Sequence, residues 1–491
     1  VRDHIGVRPL TYSIKDDLLI FASHEFGIAK SNLVNNSLSE TTLIRTFYLR
    51  KKQEYSSTVF QRIKKIIPGY VSTVTSSKVS EIKYWIPGKI KTNKHLTFEM
   101  AVSYLREHLI KSVQVRMEQG KIGTHVSGGI DSSGVGAILA DYIDDKKRLK
   151  GYSWSPQTIV QEVDGLNEKE LVDEFSKQKG IEIDYLTYSN QADIDDFILP
   201  EFEQMPIEIY TMLQASKDEI NTMFSGWGGD EFVSLSLRGS MNHIILRLKL
   251  LTLYRWIKFW GIKATVARAK GEILPLLDPL GMFDSNAISR LRLNLFQFVF
   301  IMKHWRLFFF QREKLIYGFG DRNGFVLRLL YRYHLPQRMD SWALFGEKFG
   351  LDYKFPLLDK HLLEYWFTIP IKFTYEGMCH RFLYREAMKN ILTDSIRKRT
   401  DKDESVLIQN NSERRLLLRK KIAELPELFV NSPLLKFFKA DEFYKCATKK
   451  APERTACIVG MYDIRFFLRY KSLVEKYLIH NQIFMNSRKE E

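Results

Sequence analysis

The sequence predicts an α/β protein: a short N-terminal antiparallel β piece, then a doubly wound parallel sheet carrying a helical insert. Three observations predict it. Val7–Ser13 and Leu18–Ser23 flank turn residues, as the arms of a hairpin do. From Lys121 onward, short strand-like runs alternate with helical patterns, the signature of a parallel sheet covered on both faces. Two loops of small residues follow strand ends, at the edge where such sheets carry ligands.

In chain order, the hairpin opens the protein, and Arg45–Lys91 continues the same β-rich region. Lys91–His95 is polar and marks the expected domain boundary, dividing 1–92 from 93–491. Leu96–Arg116 places Phe98, Val102, Leu105, Leu109 and Val113 at helical spacing. Lys121–Val126 reads as a strand that leads into Ser127, Gly128, Gly129, Ile130, Asp131, Ser132 and Ser133. A helix follows, with Val135, Ile138, Leu139, Tyr142 and Ile143 on one stripe and Ser132 or Ser133 available as its cap. Such a helix start offers free N–H groups and a positive dipole end to phosphate, and the glycines admit close approach. Asp131 would repel a polyphosphate unless a cation sits between them, which implies Mg²⁺. The GxxxxGK[ST] spacing and its lysine are absent, so this is not a Walker loop.

Gly151–Ser155 reads as a strand, Lys169–Lys179 as a helix, Ile181–Tyr188 as a strand and Ile207–Ile220 as helical. Asn221–Phe224 is a strand end, followed by the loop Ser225, Gly226, Trp227, Gly228, Gly229 and the carboxylates Asp230 and Glu231. Asp131 and Asp230, each after a strand, can share one Mg²⁺, with phosphate oxygens and waters completing its shell. Asn242–Leu335 has no readable motif and holds sixteen Lys and Arg against five Asp and Glu. It reads as a helical subdomain covering the sheet; the sharper alternative is a basic surface for a partner or an anionic substrate. Asp403–Glu491 reads as closing helices with a charged tail.

The two loops together, SGGIDSS followed by SGWGGDE, resemble those of the asparagine synthetase family, whose first loop is that of the N-type ATP pyrophosphatases. The words RDHIGVRPL and LLIFASHEFGI, then IKKIIPGYV and KYWIPGKI, resemble the latter half of a class II glutamine amidotransferase domain. GLDYKFPLLD resembles the family's GxExRxPFLD, with Asp352 at its glutamate and Lys354 at its arginine. HRFLYREAMK resembles KxxLRxA, with Arg381 at the lysine, Tyr384 at the leucine, and Arg385 and Ala387 in register; IRKRTDK continues the match.

The resemblance implies ATP and Mg²⁺, an adenylated carboxylate, attack by ammonia or an amine, and release of AMP and pyrophosphate. It implies binding of ATP by Ser127, Gly128, Gly129, Asp131, Ser132, Ser133 and Gly226, metal at Asp131 and Asp230, and roles near the reacting groups for Arg381, Asp352 and Trp227. Trp227 stands where asparagine synthetases carry glutamate and β-lactam-forming relatives carry tyrosine. In the family the glutaminase uses an N-terminal cysteine; none lies in the first part of this chain, which begins at Val1, so an upstream piece is expected. Three readings stay open: a glutamine- or ammonia-using asparagine synthetase; an amide ligase of the lasso-cyclase or β-lactam-synthetase kind with another small-molecule or peptide carboxylate; and a noncatalytic binding relative. A homodimer is compatible with each.

With 491 residues, 45% hydrophobic and 27% charged, the chain is of ordinary globular composition and long enough for two or three domains. The net charge of +16 fits anionic ligands or an acidic partner; no nucleic-acid motif accompanies it. Ile244–Trp260 and Asn294–Phe310 are apolar but interrupted by Arg247, Lys249, Arg255, Lys258, Lys303 and Arg306, so no membrane span is expected. Cys379, Cys446 and Cys457 form neither a disulfide framework nor a zinc spacing, which favours a reducing cytoplasm.

Overall fold

The structure is a computed structural model. It describes residues 1–31, 33–34, 37–44, 56–75, 78–154, 168–186, 206–235, 237–277, 296–309, 322–331, 334–375, 379–399, 435 and 437–439. Nearly all of the expected closing helices of 403–491 therefore lie outside the described residues.

The N-terminal region holds two antiparallel sheets. In the first, β1 (Thr11–Lys15) lies between β2 (Leu18–Ala22) and β3 (Lys64–Lys65); in the second, β4 (Tyr70–Val74) pairs with β5 (Val79–Lys83). The hairpin is present, but its first strand opens at Thr11 rather than Val7. The cause is Asp3, whose carboxylate accepts the backbone N–H groups of Ile5, Gly6, Val7 and Arg8 at 2.7–3.2 Å and fixes that stretch as a turn.

The second region is built on a five-stranded parallel sheet in the order β10 (Asp352–Lys354), β9 (Thr222–Phe224), β6 (Ile122–His125), β7 (Leu149–Ser153), β8 (Glu182–Tyr185). Every residue of β6 and β9 is buried, as both faces of a parallel sheet require. The chain runs from β6 outward through β7 to β8, then returns to β9 on the other side of β6. The winding direction therefore reverses between β6 and β9. Their C-terminal ends flank the crevice that such a reversal opens, where ligands of doubly wound sheets bind. The predicted element types hold across this region, with ends shifted by one to three residues.

The helix Phe98–Gln114 is capped by Thr97, whose hydroxyl accepts from the Met100 N–H at 3.2 Å. It buries Ala101, Leu105, Leu109 and Val113, one helical stripe, in the main core. The insert contains the helices Ser240–Leu246, Leu250–Trp260 and Ile262–Leu277. These gather a small separate core of Leu237, Met241, Ile244, Trp256 and Tyr375 rather than joining the one around the sheet. Among the described residues, no helix is long and apolar enough to cross a membrane.

Buried charges fasten the N-terminal region to the helix His334–Lys348. Arg2 and Lys65 both meet Asp340, at 2.6 and 2.8 Å. The same Arg2 guanidinium donates to the carbonyls of Gly6, Arg8 and Ile66. His4 meets the Leu358 carbonyl at 2.8 Å, and Trp85 Nε1 donates to Glu364 at 3.1 Å.

Candidate functional site

The loop after β6 folds on its own hydroxyls. The helix that follows runs Ile130–Tyr142 with Gly129 as its N-cap, and no side chain caps it. Ser132 and Ser133, expected as caps, lie inside the first turn and reach back. The Ser132 hydroxyl accepts the Ser127 N–H at 3.2 Å and lies 2.7 Å from the Ser127 hydroxyl; Ser133 donates to the Ser127 carbonyl at 2.7 Å. These bonds hold the loop against the start of the helix and leave that start without a side-chain cap, an anion-accepting terminus.

The loop after β9 is packed onto this helix start, and its glycines allow it. A Cβ on Gly226 would sit 2.5 Å from the backbone nitrogen of Ser132. A Cβ on Gly229 would run into the carboxyl group of Asp131, and one on Gly228, whose φ is +97°, into Leu358. Asp131 and Asp230 are thereby brought together. Gly229→Ala must push the two carboxylates apart, and displacements of about 1 Å cost roughly 100-fold in turnover. A loss of that size, with stability lowered by no more than the roughly 1–3 kcal/mol that overpacking costs, is the expected result, read from steady-state rates and urea denaturation.

Between the carboxylates lies Arg381. One arm of its guanidinium donates to Asp131 Oδ2 at 3.0 Å and the other to Asp230 Oδ1. Arg381 precedes the helix Phe382–Ala387 in a left-handed conformation, φ +63°, which costs a non-glycine residue about 1 kcal/mol. Arg385 braces that turn: its buried guanidinium donates to the carbonyls of His380, Arg397 and Arg399. Burial pushes the Asp131 carboxyl up to about 6; Arg381 opposes the shift and Asp230 adds to it. Glu231 is pushed up to about 7, by burial first and then by Asp230.

Three buried polar atoms here lack a hydrogen-bond partner within 3.5 Å among the described residues: Asp131 Oδ1, the Ser234 hydroxyl and the Tyr384 hydroxyl; Ser234 is near enough to Asp131 to favour its charged form. Tyr384 lies close to Gly134, where a Cβ would meet its hydroxyl at 2.8 Å, and feels the Asp131 charge. An orphaned carboxylate oxygen beside an uncapped helix start fits a cation and a phosphate. Among the described residues, no group of three or more His, Cys, Asp or Glu is arranged to hold a metal ion. Two carboxylates with phosphate oxygens and waters suit Mg²⁺ better than a closed protein cage.

The other expected residues fall in two places. Trp227 is half-buried against the main core, with the Arg338 guanidinium 4.9 Å above its ring; Arg338 in turn pairs with buried Glu208 at 2.5 Å. Asp352 is not brought to the carboxylate pair. It opens β10, level with Thr222 at the far end of β9, and is held by Arg8 and by Lys354 at 2.7 Å. Arg399 was not singled out from the sequence; it donates to the Gly128 carbonyl at 3.3 Å and pairs with Glu168 at 3.3 Å, which sets a cation against the first loop. The only signal for it was its place in IRKRT.

The asparagine synthase family model matches residues 104–455, and a glutamine amidotransferase domain model matches residues 1–85. The chain belongs to the asparagine synthase family. Among asparagine synthases, it is 22% identical over 433 residues to asparagine synthetase (glutamine-hydrolyzing) 3 of Bacillus subtilis, covering 80% of this chain and 62% of that protein. It is 24% identical over 238 residues to asparagine synthetase (glutamine-hydrolyzing) 1 of the same organism, covering 47% of this chain and 36% of that protein. It is also 24% identical over 203 residues to the amidase chyE of Penicillium rubens, covering 39% of this chain and 29% of that one. The chain thus spans at most about three fifths of the length of these curated relatives, 62% in the longest match. Members of the asparagine synthase family use ATP.

Proposed function

We propose that this chain forms an amide from a carboxylate and ammonia or an amine at the expense of ATP, releasing AMP and pyrophosphate. The convergence of Asp131 and Asp230, from two separate loops, on one cationic seat at a helix start carries the reading. Asp131 and Asp230 would hold Mg²⁺, which when bound neutralises the departing pyrophosphate. The backbone N–H groups at the start of Ile130–Tyr142 orient the phosphates. Arg381 supplies a positive fork that cannot lose its proton, so it stabilises charge and does not act as a base. Arg399 adds positive charge on the other side of the first loop. The three widely spaced cysteines support a reducing, cytoplasmic setting.

The carboxylate substrate is one other than free aspartate. The support is Trp227: where asparagine synthetases have a carboxylate, this chain has an indole covered by Arg338. A site built to hydrogen-bond a small polar substrate loses much when its partner groups change. The test is pyrophosphate release with ammonia supplied directly and aspartate as the carboxylate. Feeble turnover at sub-millimolar aspartate is expected. Rapid formation of asparagine under those conditions would restore an aspartate-specific enzyme.

A further inference from the structure

The insert leaves a surface that the amide-forming reaction does not use. From Leu246 to Lys270 the chain carries seven Lys and Arg and no Asp or Glu. The turn Leu246–Leu251 reads LRLKLL, and its leucines 246, 248, 250 and 251 are 57–79% exposed. The turn has a set shape: Leu248 is left-handed, φ +52°, and backbone bonds run from Leu248 to Ile245 and from Lys249 to Ile244. Farther along, Tyr254, Phe259 and Ile262 stand equally far out.

Scattered exposed apolar residues are normal, but a contiguous group marks an interaction surface. On the helix Leu250–Trp260 the outer face interleaves Leu250, Leu251, Tyr254 and Phe259 with Arg255 and Lys258, while Trp256 anchors the inner face. Apolar tips among cations with long aliphatic stems match a boundary that is apolar beneath and anionic on top. We infer that Leu246–Lys270 docks this protein on an anionic phospholipid bilayer, the leucines entering the interface and the cations meeting headgroup phosphates. The helix that carries this face reaches the candidate site by its inner side: Trp260, packed against the small core, meets His380, the neighbour of Arg381, with ring centres 5.2 Å apart.

The experiment is flotation of the full chain with vesicles of phosphatidylcholine, with and without phosphatidylglycerol, at low and high salt. The expected result is binding to the phosphatidylglycerol vesicles alone, weakened by salt. Leu248→Ser with Leu251→Ser should reduce it at least about tenfold, since membrane affinity follows the apolar area inserted. Arg247→Gln with Lys249→Gln should do likewise and flatten the salt dependence. Circular dichroism and the urea transition check that each variant folds. An unbound wild type overturns the inference, and so does a leucine variant that binds as the wild type does. A dimer that disappears in the leucine variant, without vesicle binding, would assign the surface to a second copy and overturn it too.

Discussion

Replacing Asp131 or Asp230 by Asn should abolish turnover, with a fall of roughly a thousand-fold or more, the scale seen when a group stabilising transition-state charge is removed. Each replacement keeps the side chain's shape and removes its charge. The partners are then mismatched. Arg381 loses one of its two carboxylates, and a metal loses half of the protein's contribution to its seat. Asp131→Asn is expected to be the more severe, because the Asp131 side chain is less exposed than that of Asp230, 16% against 53%, and its Oδ1 is buried. Affinity for Mg²⁺-ATP, measured by calorimetry, should fall in both variants. Arg381→Gln gives the complementary result: two carboxylates without their internal counter-cation repel, so uptake of Mn²⁺ in the absence of nucleotide should increase, as read by its electron paramagnetic resonance signal. Unchanged Mg²⁺-ATP affinity in both aspartate variants would remove the ligands from this place.

The second large effect is on stability. Asp340→Asn should destabilise the folded chain by about 3–5 kcal/mol, the usual result of removing one partner from a buried ion pair. Arg2 would be left buried and facing an amide, and Lys65 would keep Glu25, 3.6 Å away. Urea denaturation of wild type and variant measures the difference; a change below about 1 kcal/mol would show that the cluster is not held together by charge. The pH dependence has a defined sign. Burial opposes ionisation of Asp340, but Lys65 and Arg2 prevail and hold its carboxyl below the ordinary aspartate range. A carboxyl depressed on folding contributes stability that is present above its unfolded pKa and lost as pH falls through the folded one. Acid should therefore loosen the N-terminal region from the helix His334–Lys348, and the variant should lack that part of the acid sensitivity.

The two loops were legible in the sequence because their chemistry is local. In each case a strand end, a run of small residues and a carboxylate lie within about ten residues of each other, so the composition of one short stretch marks them. The parallel sheet was legible for the same reason. What could not be read was mostly distance. Arg2 and Asp340 lie 338 positions apart, and nothing in either neighbourhood names the other. The meeting of Arg381 with both aspartates needs the turn that Arg385 ties to Arg397 and Arg399, a tertiary fact. Asp352 shows a different limit. The motif singles it out, but only the register with Thr222 shows which end of the sheet it occupies. The caps failed by one turn, because Ser132 and Ser133 serve the preceding loop from within the helix.

One measurement bears most directly on the account: the fate of ATP during turnover with ammonia and a panel of carboxylates, analysed for all four products. The proposed function predicts AMP and pyrophosphate in equal amounts, dependent on the carboxylate and lost in Asp131→Asn. ADP and orthophosphate as the products of turnover would contradict it.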